Sequence, residues 1–567
     1  METRASEEGG QADRASATGT ASAAVAEGMV ALRAGAWVAA RDAFQAARSH
    51  DAEDPQALAG LGLASWWLNE LDDALRLHER AHAEFRRRGD PAGAARTAMW
   101  LARQHALIHG NAAAYRGWMA RAERLLQDAK PRVEHGWLEL FRHCSSSDPL
   151  EVDQAAQVAM AVARRFGDTD LEPLALAYSG LALVASGKIA EGMRRLDEAM
   201  AVATGGEAPS YDVLGEIYCT LLAACERAAD PERAEQWRQM VDEFVRRYEY
   251  SPFGATCRTL YGAMLTTAGR WPEAERELLE ALRSFEGGSR AMRVDAIVRL
   301  AALRIRQGRL EEAQGLLQDC VEHPEAATSA AELCLARGEA RQAAAILRRR
   351  LRDLGPTETL QAAPVLSLLV EADVADGDTT SAHASIDRLM TMARVSGSAA
   401  ITAVAELATG RVRRAEGQDA VPHLERALAG FARVGMPFQL AQTGVALAEA
   451  LFEVNPQMAG TEAQAALAVF ARLGAAQQAD AAAQLLRRLG KRPRAGLRTR
   501  GALSKREVEV LRLLGEGLSN DQIAARLYIS RRTAEHHVSS VLSRLGLTRR
   551  AEAAAYAISY QAAVPGA

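Results

Sequence analysis

One spaced pattern recurs along this chain and constrains its fold more than any other feature. It is glycine, an apolar residue two places on, alanine at five, leucine at nine and alanine at twelve. It reads Gly35, Trp37, Ala40, Phe44, Ala47, and again Asn69, Leu71, Ala74, His78, Ala81. Further copies are Gly187, Ile189, Gly192, Leu196, Ala199; Gly269, Trp271, Ala274, Leu278, Ala281; and Gly308, Leu310, Ala313, Leu317, Cys320. Weaker ones begin at Gly338 and Gly377, and most gaps lie near multiples of about 39 residues. Offsets of five, nine and twelve share one face of a helix. Small alanines on that face admit a second helix at close range, and the glycine breaks the chain between the two. Each unit is then a helical hairpin too small to bury its own face, so neighbours must stack. Alanine favours helix and long β-branched runs are scarce, so the chain is predicted to be all-α.

The series resembles tetratricopeptide repeats of the long, irregular kind. That implies a solenoid of helical hairpins over residues 25–490, with room for eleven or twelve of them. Residues 1–24 are small and polar, have no apolar core of a secretory signal, and read as a disordered tail. No run reaches the ~18 apolar residues of a membrane span. A soluble, cytoplasmic protein with no membrane partner is expected.

Inside the second copy stands His78-Glu79-Arg80-Ala81-His82, an H-E-x-x-H pattern that on a helix can seat zinc beside a general base. His78 occupies the place of Phe44 one repeat earlier, and Ala81 that of Ala47. The longer motif fails, because Phe85 and Arg88 stand where glycine and the third histidine belong. The pattern therefore reads as repeat face rather than as a metallopeptidase. His105 and His109, also four apart, could complete a four-histidine cluster, but packed or solvated imidazoles are the plainer reading.

Other chemistry finds no foothold. There is no G-x-x-x-x-G-K-[ST], no nucleophile elbow, and only four lysines: Lys130, Lys188, Lys491 and Lys505. The six cysteines include no C-x-x-C and read as buried small residues. No enzyme activity and no cofactor are expected. Six of the eight tryptophans fall between Trp37 and Trp137, where they pack hairpins or line a partner groove.

Charge is uneven. The chain carries −4 overall, but Leu485 to Arg550 carries sixteen Arg or Lys against five acids, and Glu552 is the one charge after it. The part before Leu485 therefore holds −14. An acidic body with a basic end suggests two jobs, the second with a polyanion. A basic linker, 491–502, precedes three closely spaced helix starts. Leu503-Ser504 with Glu507 and Val508 forms a capping box and hydrophobic staple. Leu518-Ser519 with Gln522 and Ile523 repeats it, and Ser530 opens a third helix. Gly517 and Gly546 are predicted to end the first and third helices. A short helix, a tight turn and a longer helix make a helix-turn-helix. In the third helix Ala534, Val538, Val541, Leu542 and Leu545 fall on one inward stripe. His536 centres the opposite face, with Arg532, Ser539, Ser540 and Ser543 around it and Glu535 at its flank. Arg531 and Arg532 sit at the positive end of the helix dipole, where a phosphate binds.

The stretch from "LSKREVEVL" through "GLSNDQIAARL", "ISRRTAEHHV" and "SRLGLTRRAEA" resembles the LuxR-type, or GerE-like, helix-turn-helix. The resemblance covers roughly a tenth of the chain. It implies a four-helix domain, here residues 503–562 before a tail at 563–567, that binds double-stranded DNA as a homodimer. Arg531, Arg532, Thr533, Glu535, His536, Ser539, Ser540, Ser543 and Arg544 would face DNA. Ala551, Ala555 and Ile558 on the last helix would meet the second subunit. Glu535 stands where the family usually has a cation, so the family's half-site does not transfer to this chain. Large repeat-bearing members carry an ATPase, and the missing P-loop speaks against an ATP-driven switch here. The reading is a transcriptional regulator whose repeat region senses a protein, peptide or small-molecule effector, with RNA polymerase as a further partner. The alternative is a repeat scaffold localised by its basic end.

Overall fold

The structure is a computed structural model. It describes residues 22–205, 210–240, 252–285, 290–320, 323–354, 360–491, 505–516, 518–527, 529–531, 534–535, 537–538, 541–542, 553 and 557. Among these residues every regular element is a helix, so the chain is all-α. It divides into two compact units, Met1–Thr443 and Gly444–Ala567.

The first unit is a run of helical hairpins. It opens with α1 (22–33), α2 (Trp37–His50), α3 (Pro55–Trp67), α4 (Leu71–Arg87), α5 (Pro91–His109) and α6 (Ala112–Leu126). There follow α7 (Glu134–His143), α8 (Pro149–Phe166), α9 (Leu171–Ala185), α10 (Ile189–Thr204), α11 (Tyr211–Ala228) and α12 (Pro231–Met240). The recurring pattern marks the second helix of a hairpin each time. Ala40, Phe44 and Ala47 are fully buried, as are Ala274, Leu278 and Ala281. The residue that opens each copy makes the turn. Gly35 has φ 66°, and Asn69 adopts φ 63° in its place, which asparagine tolerates better than most side chains.

A second regularity lies seven residues before each turn. Gly28, Gly62, Gly180 and Gly262 stand sixteen positions ahead of Phe44, His78, Leu196 and Leu278, and each receives that side chain across the hairpin. A Cβ on Gly28 would lie 2.7 Å from the Phe44 ring, and one on Gly180 or Gly262 would lie 2.8 Å from the facing leucine. Glycine is thus the seat and the large residue the knob, which is how two helices too short to hold a core approach closely. Gly410 seats Leu424 in the same way at fourteen positions. That copy, with Ala420, Leu424 and Ala427 all buried, escapes the sequence pattern because its glycine, Gly417, stands two residues late.

The early tryptophans pack the hairpins to one another. Trp37 stacks on Trp67 with ring centres 4.5 Å apart, Tyr211 meets Trp37 edge-on at 6.0 Å, and Trp66 donates to Gln104 Oε1 at 2.9 Å. Polar groups tie distant hairpins together. Arg103 on α5 reaches Glu216 on α11 at 2.7 Å, Tyr178 on α9 donates to the other oxygen of that carboxylate, and the guanidinium lies 4.2 Å above the Phe141 ring. One turn before Glu216, Asp212 accepts from the Trp67 side chain while its Oδ1 is buried without a partner. Burial pushes this carboxyl up to about 7.

The second unit contains the hairpin Pro456–Leu473 and Ala476–Arg488, turned at Gly474 and closed by Lys491 Nζ donating to the Gln457 carbonyl at 2.9 Å. The last repeat-like hairpin before the basic stretch therefore belongs to the C-terminal unit.

Candidate nucleic-acid interface

The C-terminal module is built from short helices whose ends are fixed by side chains. Its first helix, Lys505–Gly515, and second helix, Asn520–Leu527, are followed by helical backbone at every described position from 531 to 542. The second helix carries the predicted capping box. Ser519 Oγ accepts from the Gln522 N–H at 3.3 Å, and the Ser519 N–H donates to Gln522 Oε1 at 2.7 Å. Leu518 packs against the core that holds fully buried Ile523, as the staple requires. The box at Leu503 and Ser504, and the helix-ending Gly517 and Gly546, lie outside the described residues. Arg506 bridges the first two helices, donating to the Leu527 carbonyl at 2.6 Å and to Glu509 at 2.7 Å. It thereby satisfies a carbonyl at the negative end of the second helix.

One apolar cluster joins these helices. Val510, Leu511, Leu513 and Leu514 from the first meet Ile523 and Ala524 from the second and Ala534, Val538 and Val541 from the third. The inward stripe of the third helix is therefore as the periodicity predicts: Ala534 and Val541 are fully buried, Val538 nearly so, and Leu542 packs at the edge. Leu545 lies outside the described residues. Ala553 and Ala557, four apart, are buried in the same cluster. The sequence predicts a last helix there without marking these two, because an alanine-rich segment offers no contrast between its faces.

The outward side begins with Arg531, whose side chain is two-thirds exposed. It pairs with Glu535 at 3.0 Å, one turn along, and with Asp521 of the second helix at 3.4 Å. Nothing in the local sequence pairs Asp521 with it, since ten residues and a turn separate the two. Arg531 and Asp521 are largely solvated and Glu535 partly so, so the pairs are weak and a phosphate can displace them at little cost. Among the residues predicted to face DNA, Arg531 is thus exposed and Glu535 half-buried at the start of the third helix. Arg532, Thr533, His536, Ser539, Ser540, Ser543 and Arg544 lie outside the described residues, as do Ala551, Ala555 and Ile558.

The H-E-x-x-H stretch has a different occupation. His78 is the knob seated over Gly62. Its ring stacks on Trp100 with centres 3.5 Å apart, its Nδ1–H donates to the Ala74 carbonyl at 2.9 Å, and burial pushes its pKa down to about 4. His82 donates from Nδ1 to the Ala94 carbonyl at 2.9 Å, and its Nε2 accepts from Arg121 Nε at 2.8 Å. A guanidinium thus holds the lone pair that a zinc ion would need. His105 and His109 sit on α5 with ring centres 5.8 Å apart. Among the described residues no three His, Cys, Asp or Glu side chains lie close enough to share a metal.

Two family matches bear on the chain. Residues 501–557 match the luxR family of bacterial regulatory proteins, and residues 219–302, from mid-α11 onward, match effector-associated domain 2. Among curated relatives, the transcriptional regulatory protein LnrK of Bacillus subtilis is 45% identical over 62 residues, 11% of this chain and 28% of that protein. The DNA-binding transcriptional activator DevR/DosR of Mycobacterium tuberculosis is 33% identical over 123 residues, 22% of this chain and 48% of that protein. The chain thus spans at most about half the length of these relatives. Among solved structures, yeast Tom70 aligns over 78% of this chain and 98% of its own at a TM-score of 0.34 and 11% identity. A chain of the APC/C hetero-tetramer Cut9-Hcn1 aligns over 94% and 95% at 0.36 and 14%. The repeat reading rests on the helix-by-helix packing described above. No helix among the described residues is long and apolar enough to cross a membrane. The capped helices around one apolar core and the match over residues 501–557 together identify the C-terminal module as a LuxR-family helix-turn-helix domain.

Proposed function

We propose that this chain is a DNA-binding transcriptional regulator, cytoplasmic, in which the third helix of the C-terminal module enters the major groove of double-stranded DNA. The observation that carries the reading is the phase of that helix. Ala534, Val538 and Val541 are buried against the other helices while Arg531 stands in solvent at its N-terminal end. A helix fixed by one face and cationic at its positive end is suited to docking on a phosphate backbone with its other face toward base edges. Arg532, Thr533, His536, Ser539, Ser540, Ser543 and Arg544 supply that face, with Glu535 at its flank able to accept from cytosine N4. Binding is as a homodimer through Ala551, Ala555 and Ile558.

On this reading residues 25–490 are the sensing region, 491–502 a basic linker and 503–562 the reading domain. The repeats receive a protein, peptide or small-molecule effector, and the match of residues 219–302 to an effector-associated domain favours that part of the array. RNA polymerase is the partner through which the regulator would act.

Selection of duplexes from a random pool by the full-length chain tests the proposal. The expected product is a motif of two related half-sites, bound with an affinity that falls steeply with salt. A pool that stays random after repeated rounds, with the protein still folded, would overturn it.

A further inference from the structure

The six cysteines are not equivalent. Cys225, Cys320 and Cys334 are buried singly, and Cys144 is half-buried near Ser145. Cys219 on α11 and Cys257 on the helix Pro252–Thr267 instead face each other with Sγ atoms 2.9 Å apart. That is closer than unbonded sulfurs ordinarily settle, and only about 0.9 Å longer than a disulfide bond. Cys257 is 4% exposed and packed within the array core, whereas Cys219 is half-buried at the edge of that core.

We propose that Cys219 and Cys257 are a peroxide-responsive pair that closes to a disulfide, cross-linking α11 to the helix Pro252–Thr267. The more exposed Cys219 reacts first. Its thiolate attacks one oxygen of a hydroperoxide, the O–O bond breaks, and the sulfur becomes a sulfenic acid as the other oxygen leaves and takes up a proton to form water or an alcohol. The Cys257 sulfur then attacks the sulfenic sulfur, the S–O bond breaks, and water departs with the Cys257 proton. Two thiols are oxidised and one peroxide is reduced.

Two features shape the outcome. The contact with Cys257 and burial hold the Cys219 thiol well above its ordinary range, so the first step is slow and needs a substantial peroxide load. The second step needs almost no movement, so the sulfenic acid is captured by its neighbour before it can oxidise further. The closed loop runs from residue 219 to 257, inside the stretch that matches effector-associated domain 2. Glu216, which holds Arg103 and Tyr178, lies three residues before Cys219 on the same helix, so the cross-link also braces a helix that ties α5 and α9.

The test uses the full-length chain, reduced and desalted, then exposed to increasing hydrogen peroxide. Remaining thiols are blocked by alkylation, and peptides are mapped without reduction. The expected first product has lost two of its thiols, contains one linked peptide pair joining Cys219 to Cys257 within a single chain, and reverts with dithiothreitol. In Cys257→Ser, a dimedone-trapped sulfenic acid at Cys219 should accumulate several-fold above the parent. Three results would each overturn the proposal: first loss at another cysteine, a linkage between different residues or chains, or sulfinic acid at Cys219 with Cys257 still free. Intact thiols at a peroxide dose that fully oxidises free cysteine in the same tube would also overturn it. The wild-type map decides the matter even if the variant folds poorly.

Discussion

In the repeat array five hairpins are each fitted by a small seat and a large knob, from Gly28 under Phe44 to Gly410 under Leu424. The C-terminal module instead draws all its helices around one cluster that includes Val510, Ile523 and Val541. Damage to one hairpin should therefore stay near that hairpin, because a stacked array adds up nearest-neighbour terms. Damage to the module's core should reach the third helix wherever it is inflicted. The contrast can be followed optically, since all eight tryptophans, Trp37 to Trp271, lie in the first unit.

The largest effect is expected from Val541→Asp. A carboxylate at a fully buried position should unfold the module, at a cost of roughly 4 kcal/mol or more. DNA affinity should fall beyond detection while the tryptophan melting curve stays in place. A shift of that curve would show that the two units are not independent.

Gly192→Ala probes the other side. Its Cβ would fall inside the contact radius of the Gly180 carbonyl oxygen, a backbone neighbour that cannot rotate away. A loss of about 2 kcal/mol is expected, seen as an earlier tryptophan transition, with DNA affinity at room temperature unchanged. An unchanged melting curve would remove the case for close backbone approach in this hairpin.

A smaller effect belongs to the exposed cation. Arg531→Ala should weaken DNA binding by about 1 kcal/mol and lower the salt slope by roughly one phosphate contact. Glu535→Gln removes the closer of the two ion pairs on the same guanidinium and should tighten binding about twofold to threefold at low salt. Titration by fluorescence anisotropy at several salt concentrations measures both. If Glu535→Gln weakens binding instead, that carboxylate is reading a base rather than competing with phosphate.

The smallest concerns Asp212. Its carboxyl is pushed from 3.8 up to about 7 by burial, so the folded chain holds this proton more tightly than the unfolded chain does. The stability contributed is full below pH 3.8 and is lost as pH rises through about 7. Asp212→Asn keeps an acceptor for Trp67 and carries no charge, so it should melt about 1–2 °C above the parent at pH 8 and no higher at pH 4. His78 has the opposite sign. Lowered from 6.5 to about 4 by burial, it should destabilise the array as pH falls through that range.

The two regions were also unequally legible in sequence. Periodicity located the buried faces of the repeats and the inward stripe of the third helix, because both depend on local spacing alone. It also placed His78 correctly as a repeat-face residue despite the zinc-like motif. The seats at Gly62 and Gly180 were missed, since an isolated glycine says nothing until the side chain that fills it is known. The Arg103–Glu216 pair, 113 positions apart, and the orphaned Asp212 oxygen depend on where the array returns, which no local pattern encodes. In the module, the capping box at Ser519 was readable from four residues, whereas the pairing of Arg531 with Asp521 needed the angle between two helices.

The sixteen-residue spacing between seat and knob has a consequence for how such a chain can change length. Both halves of the fit travel in one stretch shorter than a single unit, so a duplicated or deleted segment carries its own complementarity with it. Hairpins of this kind can be copied, lost or grafted like interchangeable cassettes, and only the joints to either side need to be re-matched.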